Sequence, residues 1–427
     1  VGVKTLINGP IPISADGEPV MGRAPDLDNM FLCCGFTSGI AAAGGAGLAM
    51  ARWIAEGDPG MNLWAFDALR FGALHCRPDV MYARATEAYA NYYTVAWPGM
   101  EQESARDLRL SPLHQRLKQA GAAHGAKFGW ERPNWFAPKG IEPVDRPSFL
   151  EPNWFDAVGA EHAAVRERAG IFDMASFSKF RISGPGACAF LQHVCCNDMD
   201  RPLGTVIYTQ MLNRRGGIEA DVTVTRLKPD LYYFVTGSAF GVHDRAHLSR
   251  HMPTDGSVTI TDATDDTAVI GLWGPRARDI LSAVTKDPVD NAALPYMRAK
   301  TVAASGVEVL ALRVTYVGEL GFELHVAKDG ALTLYDALWD AGREHGLANA
   351  GYRAVSSLRL EKQYLYWSAD ITPDYSPLEA DLGFCVAWNK GDFIGRAALE
   401  KQKRDGVKRK LRWFSIPGRA PVHGGEA

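Results

Sequence analysis

The segment Met211-Leu212-Asn213-Arg214-Arg215-Gly216-Gly217-Ile218-Glu219-Ala220-Asp221-Val222-Thr223-Val224-Thr225 decides the fold of the central part of the chain. Apolar and β-branched residues on either side of Arg215-Gly216-Gly217 predict two strands joined by a tight turn. Asp221 lies in the second strand, where an unpaired buried carboxylate is costly. Its side chain therefore either faces solvent or points into a polar pocket, and the local sequence leaves both alternatives open.

A second acid-bearing glycine turn occurs at Thr315-Tyr316-Val317-Gly318-Glu319-Leu320-Gly321-Phe322-Glu323-Leu324 and predicts another hairpin. Strand alternation places Glu323 on the face opposite Phe322 and Leu324. An alternative to a functional role is therefore that one of the acids in this turn only faces water.

A helix is predicted over Ala354–Lys362, with Leu358 toward the core. Arg359 on this helix has two interpretations. Its planar guanidinium either binds a ligand carboxylate through two hydrogen bonds or forms an ion pair with Glu361 or an exposed neighbour. The local sequence favours the ion pair.

An internal repeat flanks the first hairpin. Phe180–Leu191 and Gly271–Leu281 share a strand, a Gly-Pro pair and a helix, with Pro185 and Pro275 ninety positions apart. Proline is tolerated at the first helical position, where its missing N–H needs no partner. Two related strand-helix units in one domain are therefore predicted.

Toward the N-terminus, Asn29–Gly35 predicts a short buried strand, and a helix of small residues follows through Trp53. Small residues allow a backbone or a flat ligand to approach closely, although a tightly packed core helix explains the same spacing. The dinucleotide fingerprint GxGxxG is absent, and Gly44-Gly45-Ala46-Gly47 inside the helix is a weak substitute.

The pattern beyond this helix predicts domain boundaries. Residues 72–138 are rich in aromatic side chains, and Pro138–Pro152 contains four prolines, so a boundary is expected near residue 140. Lys408–Ile416 predicts a first strand that few residues follow. Since the chain also starts within what resembles a larger unit, both ends are expected to be cut.

Composition excludes several classes of protein. The 427 residues are too many for one compact core, and 46 basic against 49 acidic residues give a net charge of −3, so no nucleic-acid surface is indicated. The most apolar stretch, Gly39–Met50, is too short for a membrane span, and no secretory signal precedes it. Two or three domains without a membrane segment are expected.

Neither a disulfide framework nor a metal centre is predicted. The seven cysteines are an odd number without CxxC pairs, which favours a reducing and therefore cytoplasmic compartment. His243, His247 and His251 share one face of a predicted helix, but no HExxH pattern accompanies them. Three such histidines more often line a polar face, so no metal is expected.

Together these segments resemble the dimethylglycine/sarcosine dehydrogenase family, which joins a flavin-dependent amine-oxidising domain to a folate-binding domain like the glycine-cleavage T-protein. The match covers essentially the whole chain, in the family's order. The segments that carry it are Gly170–Phe180, Gly216–Val224, Tyr316–Glu323, Ser357–Lys362 and Lys390–Arg396.

The resemblance implies a multidomain α/β and α+β fold, in which the end of an FAD-dependent amine-oxidase domain precedes a T-protein-like folate-binding domain. Its implied boundaries are 1–71 for the end of the oxidase domain, 72–140 for its linking or central domain, 141–405 for the folate domain and 406–427 for the start of a C-terminal barrel.

On the flavin side, the resemblance places Gly35, Phe36, Gly39 and Ile40 facing the isoalloxazine ring, where a helix N-terminus favours the charge of a reduced flavin. The GxGxxG half of that domain and the histidine that carries flavin in several members are absent from the chain. This chain alone is therefore expected to hold FAD poorly.

On the folate side, Asp221 matches the acid beside the reactive nitrogens and is the implied catalytic residue. Glu319 and Arg359 fall where family members contact folate. Tyr208 and Tyr316 are candidates for packing against the pterin or p-aminobenzoyl ring, although core packing explains them equally well.

The implied activity is oxidation of a small N-methyl amine at FAD, with transfer of the one-carbon unit to tetrahydrofolate. One alternative is a folate-dependent aminomethyltransferase or demethylase without flavin chemistry. Another is a folate-binding module without catalysis. The identity of the amine, the oligomeric state and a mitochondrial rather than cytoplasmic location are not determined by the sequence.

Overall fold

The chain folds into two compact units. The computed structural model describes residues 2–25, 27, 29–418 and 422. One unit contains the residues up to Ala96 together with Gln102–Arg106, and the other contains Trp97–Glu101 and the chain from Asp107 onward. Both mix helices with strands, which confirms the predicted α/β and α+β multidomain class.

The first unit packs a hairpin against a long helix. Its elements are β1 (Val20–Arg23), β2 (Phe31–Cys34), α1 (Gly39–Glu56) and α2 (Pro78–Ala90), and the two strands pair antiparallel. Met21, Ala49, Met50 and Leu63 form the core of this unit. The predicted strand and small-residue helix are both present, but the strand is not buried as predicted, because Cys33 and Cys34 are exposed.

Most of α1 is not packed against the described chain. Ala49 and Met50 are its buried residues, whereas Ile40 is 99% exposed. A Cβ atom added at Gly44 or Gly47 would meet nothing within 4 Å. Within the described residues, the small-residue face of α1 is therefore open, and the alternative of a tightly packed core helix stays a prediction.

Two sheets form the framework of the second unit. The five-stranded sheet has the order β10-β6-β9-β8-β7, the six-stranded sheet has the order β12-β13-β14-β11-β5-β15, and β3 pairs with β4. The strands are β3 (Ala122–Lys127), β4 (Trp130–Phe136), β5 (Ala169–Asp173), β6 (Ser178–Ser183), β7 (Val206–Leu212), β8 (Ile218–Lys228), β9 (Leu231–Thr236), β10 (Thr259–Asp262), β11 (Thr267–Trp273), β12 (Ala299–Ala304), β13 (Val307–Leu312), β14 (Gly321–Ala327) and β15 (Leu347–Asn349).

Helices cover the apolar face of each sheet. The helices of this unit are α3 (His114–Gln119), α4 (Phe155–Glu167), α5 (Ala187–Val194), α6 (Gly241–His251), α7 (Ala277–Val284), α8 (Ala331–Gly342), α9 (Tyr352–Glu361) and α10 (Arg396–Asp405). Phe190 of α5 and Leu248 of α6 share a core with the five-stranded sheet. Ile280 of α7 and Leu334 of α8 share another with the six-stranded sheet.

The second faces of the two sheets meet through polar contacts. The Tyr233 hydroxyl on β9 lies 3.1 Å from Nδ1 of His325 on β14. Lys179 on β6, which is fully buried, donates from Nζ to the Thr267 carbonyl of β11 at 2.6 Å. Burial lowers the pKa of Lys179 to about 7. Asp221 of β8 projects from this same face of its sheet.

The internal repeat is present as two strand-helix units, β6-α5 and β11-α7. Gly184 and Gly274 have φ values of 117° and 135°, and a Cβ at either would lie 2.5 Å or less from a backbone oxygen. The sequence predicts Pro185 and Pro275 as the first residues of their helices. This prediction is wrong, because each proline lies two residues before its helix begins. A tight turn, closed by the Ala187 N–H on the Gly184 carbonyl, separates strand from helix.

Two other predictions need correction. The second hairpin exists as β13-β14, but a loop over residues 313–320 joins its strands, and β14 begins only at Gly321. Glu323 lies opposite Phe322 as predicted, yet its side chain is only 16% exposed and lies 3.6 Å from His325. It faces the other sheet rather than water.

The strand predicted over Lys408–Ile416 does not form. In the described part of this segment, Leu411 donates one backbone hydrogen bond to Glu379, and no strand lies alongside to extend the pairing. The predicted 406–427 domain includes residues 419–421 and 423–427, which lie outside the described residues.

Glu161 ties three elements together and provides a test of the fold. Its carboxylate on α4 accepts the Phe136 N–H of β4 at 2.6 Å and the Gly351 N–H before α9 at 2.8 Å. We expect Glu161→Gln to lower the free energy of unfolding by about 1–3 kcal/mol, because the amide nitrogen cannot accept the second N–H.

Urea unfolding at pH 8 measures this effect, since burial raises the pKa of Glu161 to about 7 and the group is ionised there. Glu167→Gln, with a 68% exposed side chain on the same helix, is the matched control and should change stability by no more than about 0.5 kcal/mol. Equal unfolding midpoints for both variants would contradict the role of Glu161.

Candidate active site

The β7-β8 hairpin brings the first candidate residues together. Gln210 is the direct cross-strand partner of Asp221, and Tyr208 lies two residues from Gln210 on the same face. Met211 and Val222 point to the opposite face, into the core shared with α5 and α6. Strand alternation thus separates the polar site from the apolar core, and the predicted hairpin is confirmed.

Asp221 is half-buried, and its carboxylate faces polar side chains rather than open solvent alone. Gln210 donates from Nε2 to Oδ1 of Asp221 at 2.9 Å, and the Tyr208 hydroxyl also hydrogen-bonds the carboxylate. Burial raises the pKa of Asp221 to about 6, nearby Asp244 adds to the rise, and the two hydrogen bonds oppose it. The carboxylate is therefore mostly ionised at neutral pH.

Aromatic rings flank this carboxylate. Tyr208 and Phe384 have ring centroids 6.4 Å apart, and Phe384 is 75% exposed although it is a large apolar side chain. Tyr316 is an electrostatic neighbour of Asp221 and stacks on Tyr364 with centroids 6.1 Å apart. Flat, partly open aromatic surfaces beside an acceptor suit a planar ligand with N–H donors.

Arg359 lies next to Tyr316 but is already paired. Its guanidinium binds the Asp370 carboxylate and donates to the Tyr364 carbonyl at 3.0 Å. Glu361, the local partner considered from the sequence, instead binds Arg166 at 3.0 Å. Arg359 is only 9% exposed, so it shapes this side of the pocket mainly through the residues that it holds.

Glu319 is also in an ion pair. Its carboxylate lies 3.0 Å from Nη1 of Arg166 on α4 and 3.9 Å from Nζ of Lys362. The structure therefore brings Asp221, Tyr208 and Tyr316 together, with Arg359 beside them. Glu319 lies beyond Tyr364, held by Arg166.

The flavin-side candidates lie in the first unit. Gly35 follows β2 with a φ of 76°, and Gly39 begins α1. Phe36 packs partly against the core of the unit, whereas Ile40 is exposed. The Ser38 side chain does not cap α1 but lies 2.9 Å from the Tyr92 hydroxyl, so the first N–H groups of α1 have no side-chain cap.

Of the three histidines on α6, His243 belongs to a buried ion-pair network, whereas His251 packs against the rings of His247 and His193. His243 lies 3.6 Å from Glu219 and 2.9 Å from Asp244, and Glu219 also accepts from Asn213 at 2.9 Å. His243 and His247 are both less than 9% exposed, so they do not line a polar surface. Among the described residues, no group of three or more His, Cys, Asp or Glu side chains is arranged to hold a metal.

Sequence reasoning missed two residues of the pocket. The hairpin register makes Gln210 the cross-strand partner of Asp221. Counting residues outward from the turn does not identify this pair, because the register shifts between Met211 and Leu212. Phe384 lies in a short 3-10 helix, Gly383–Cys385, more than 160 positions beyond Asp221. Only tertiary structure brings it to Tyr208.

Comparison with protein families gives two matches. The GCVT N-terminal domain model matches residues 113–390, and the FAD dependent oxidoreductase central domain model matches residues 56–111. This chain belongs to the GCVT family. The resemblance to sarcosine and dimethylglycine dehydrogenases predicted from the sequence is confirmed.

Individual relatives agree with this assignment. Human (Homo sapiens) mitochondrial sarcosine dehydrogenase is 37% identical over 100% of this chain and 51% of its own length. The mouse (Mus musculus) mitochondrial pyruvate dehydrogenase phosphatase regulatory subunit is 35% identical over 97% of this chain and 48% of its own length. The chain thus spans about half the length of these curated relatives.

Among solved structures, the glycine cleavage aminomethyltransferase T of Bartonella henselae is similar, with a TM-score of 0.58 and 26% identity. The similarity covers 70% of this chain and 76% of that protein. The second unit of this chain therefore shares the aminomethyltransferase architecture. Within the described residues, no helix combines the length and apolar character needed to cross a membrane.

The buried network under the hairpin gives a pH-dependent prediction. Burial would lower the pKa of His243, but its hydrogen bonds to Asp244 and Glu219 raise it to about 10. Since this value lies above the ordinary 6.5, the stabilisation is complete below pH 6.5 and is lost as pH rises toward 10.

We expect His243→Gln to lower the free energy of unfolding at pH 6 by about 3–5 kcal/mol, because Glu219 loses its buried partner. The difference from the parent protein should shrink toward pH 10. Chemical denaturation across this pH range measures it, with His345→Gln, whose acidic partner Glu344 is 80% exposed, as the control. A loss that does not vary with pH would refute the ion pair.

Proposed function

We propose that this chain supplies the folate-binding, one-carbon-transferring part of an FAD- and tetrahydrofolate-dependent N-methylglycine-type dehydrogenase. The observation that carries this proposal is the state of Asp221. Glu219 is paired with His243, and Glu319 with Arg166, but among the described residues no cation lies within 4 Å of Asp221. The Asp221 carboxylate can therefore bind a cationic or N–H-donating group of a ligand.

The residues around Asp221 fit tetrahydrofolate. A pterin is planar and carries N–H donors, and the pocket offers an ionised acceptor beside the rings of Tyr208, Phe384 and Tyr316. Bound tetrahydrofolate supplies the nitrogen nucleophile that accepts the one-carbon unit. Tyr208 and Tyr316 are proposed to pack against its rings.

In this proposal Asp221 performs two tasks that follow from its environment. Its negative charge stabilises the cationic iminium form of the one-carbon donor, since a low-dielectric pocket strengthens attraction between unlike charges. With a pKa of about 6, it can also accept a proton near neutral pH. Arg359 and Glu319 shape the folate site through their pairs with Asp370 and Arg166.

The flavin part of the proposal rests on the first unit. We place Gly35, Phe36, Gly39 and Ile40 beside the flavin, where the uncapped first N–H groups of α1 suit an anionic group. FAD supplies the oxidation of the amine when bound. The substrate class is a small N-methyl amine. A cytoplasmic location of this chain stays a prediction. The relatives described above are named as mitochondrial proteins.

Two alternative functions have specific support. The similarity to aminomethyltransferase T favours folate-dependent transfer without flavin chemistry. The similarity to a phosphatase regulatory subunit favours a binding module without catalysis. Asp221→Asn separates catalysis from binding, because a module without catalysis changes only in affinity. In a longer protein that includes a complete flavin domain, assayed with sarcosine, tetrahydrofolate and an electron acceptor, the Asp221→Asn variant of a dehydrogenase would release formaldehyde in place of methylenetetrahydrofolate.

We expect Asp221→Asn to weaken binding of 5-formyltetrahydrofolate by at least about tenfold at pH 7.5, because a charge-assisted hydrogen bond is replaced by a neutral one. In the parent chain, affinity should rise as pH increases through about 6, where Asp221 ionises. Quenching of the eleven tryptophans or calorimetry measures both effects.

Asp266→Asn, with an 81% exposed side chain, is the matched control and should bind like the parent. Circular dichroism should show all three proteins equally folded. Identical affinities for parent and Asp221→Asn would remove Asp221 from the folate site.

A further inference from the structure

Gln210 is fully buried and is the direct cross-strand neighbour of Asp221. We propose that Gln210 is a positioning residue for Asp221, and that the thiol of Cys196 sets the direction of its amide. The inference rests on the proposed function, because it assigns how the residue that faces folate is held.

Hydrogen bonds define which end of the Gln210 amide faces Asp221. Sγ of Cys196 lies 3.6 Å from Oε1 of Gln210, and Nε2 donates to Asp221 at 2.9 Å. Burial raises the pKa of Cys196, so the group remains a thiol and can act as a donor. A flipped amide would place an oxygen against the Asp221 carboxylate and would lose the S–H bond that Oε1 accepts from Cys196, so the carboxylate and the thiol favour the same orientation.

The backbone holds Cys196 and Gln210 in place. The Cys196 N–H donates to the Gln210 carbonyl at 3.0 Å, and the Ala387 N–H donates to the Cys196 carbonyl at 2.9 Å. The Cys196 thiol also lies 3.4 Å from the Cys385 carbonyl. The segment that carries Phe384 is therefore docked on the same residues that orient Gln210.

The groups facing Asp221 come from four elements. These groups are Tyr208 and Gln210 on β7, Asp244 on α6, Tyr316 in the loop before β14, and Cys385 in the short 3-10 helix. Burial raises the pKa of the Cys385 thiol well above neutrality, so it adds no charge at pH 7. With no cation among them, the hydrogen bonds from Gln210 and Tyr208 are what favour the charged form of Asp221.

Removing the Gln210 donor should therefore change the ionisation of Asp221. Gln210→Met keeps a long side chain of similar volume but cannot donate, so the pKa of Asp221 should rise by about one unit. Cys196→Ala should shift it in the same direction by less, because Oε1 of Gln210 loses the S–H donor that helps to hold the amide. Cys196→Ser retains a donor and should restore the parent value.

The deciding experiment is 13C NMR titration of carboxyl-labelled aspartate in the full chain, with Asp221→Asn used to assign the Asp221 resonance. Thr225→Val, on the same face of β8 and fully buried, is the matched control and should leave the titration unchanged. An upward shift in Gln210→Met, absent from the control, supports the inference. An unchanged midpoint in Gln210→Met overturns it.

If Gln210→Met does not fold, Cys196→Ala against Cys196→Ser decides the question in the same measurement, and equal midpoints overturn the role of the thiol. Because the NMR titration needs no ligand, it is independent of folate binding. A parallel titration with 5-formyltetrahydrofolate tests the proposed function: if binding is unaffected by Asp221→Asn while Gln210→Met still shifts the midpoint, the folate assignment fails and the positioning role stands.

Discussion

A half-buried, ionised carboxylate with no cationic partner among the described residues is the constraint on which the rest of the site depends. Asp221 is held by two neutral donors, Gln210 and the Tyr208 hydroxyl. Such an arrangement costs stability in the empty protein, since burial penalises the charge. Its chemical use is attraction of a cation or of N–H donors, which both the iminium donor and a pterin provide.

The fold meets this constraint by separating polar from apolar faces. The five-stranded sheet presents Met211 and Val222 to α5 and α6, so its other face is free to carry Tyr208, Gln210 and Asp221. His243 pairs with both Glu219 and Asp244, and Asp244 nevertheless contributes to the raised pKa of Asp221. Chain segments from far along the sequence then come to this face, with Tyr316 as an electrostatic neighbour of Asp221 and Phe384 with its ring centroid 6.4 Å from that of Tyr208.

Local patterns allowed part of this structure to be predicted. The Gly216-Gly217 turn between β-branched runs is sufficient for the β7-β8 hairpin, and alternation along it leaves Asp221 on the polar face. The family resemblance added the architecture of the second unit. The Arg166 pairing of Glu319 and the approach of Phe384 could not be predicted, because each depends on residues more than 150 positions apart.

Predictions based on propensity alone failed where a partner was needed. Lys408–Ile416 has the composition of a strand, but without a neighbouring strand its backbone makes one bond to Glu379. The prolines of the two repeats lie before their helices, because a turn through the preceding glycine comes first. In the first unit, the open glycine face of α1 could not be distinguished from a packed one by spacing.

A crystal structure of this chain with 5-formyltetrahydrofolate tests the central claim most directly. The account predicts a pterin whose N–H groups lie within hydrogen-bonding distance of the Asp221 carboxylate, with its rings against Tyr208, Tyr316 or Phe384. Gln210 should keep its contact with Asp221 in the complex. A folate bound elsewhere on the chain, with Asp221 still facing only Gln210 and Tyr208, would contradict the account.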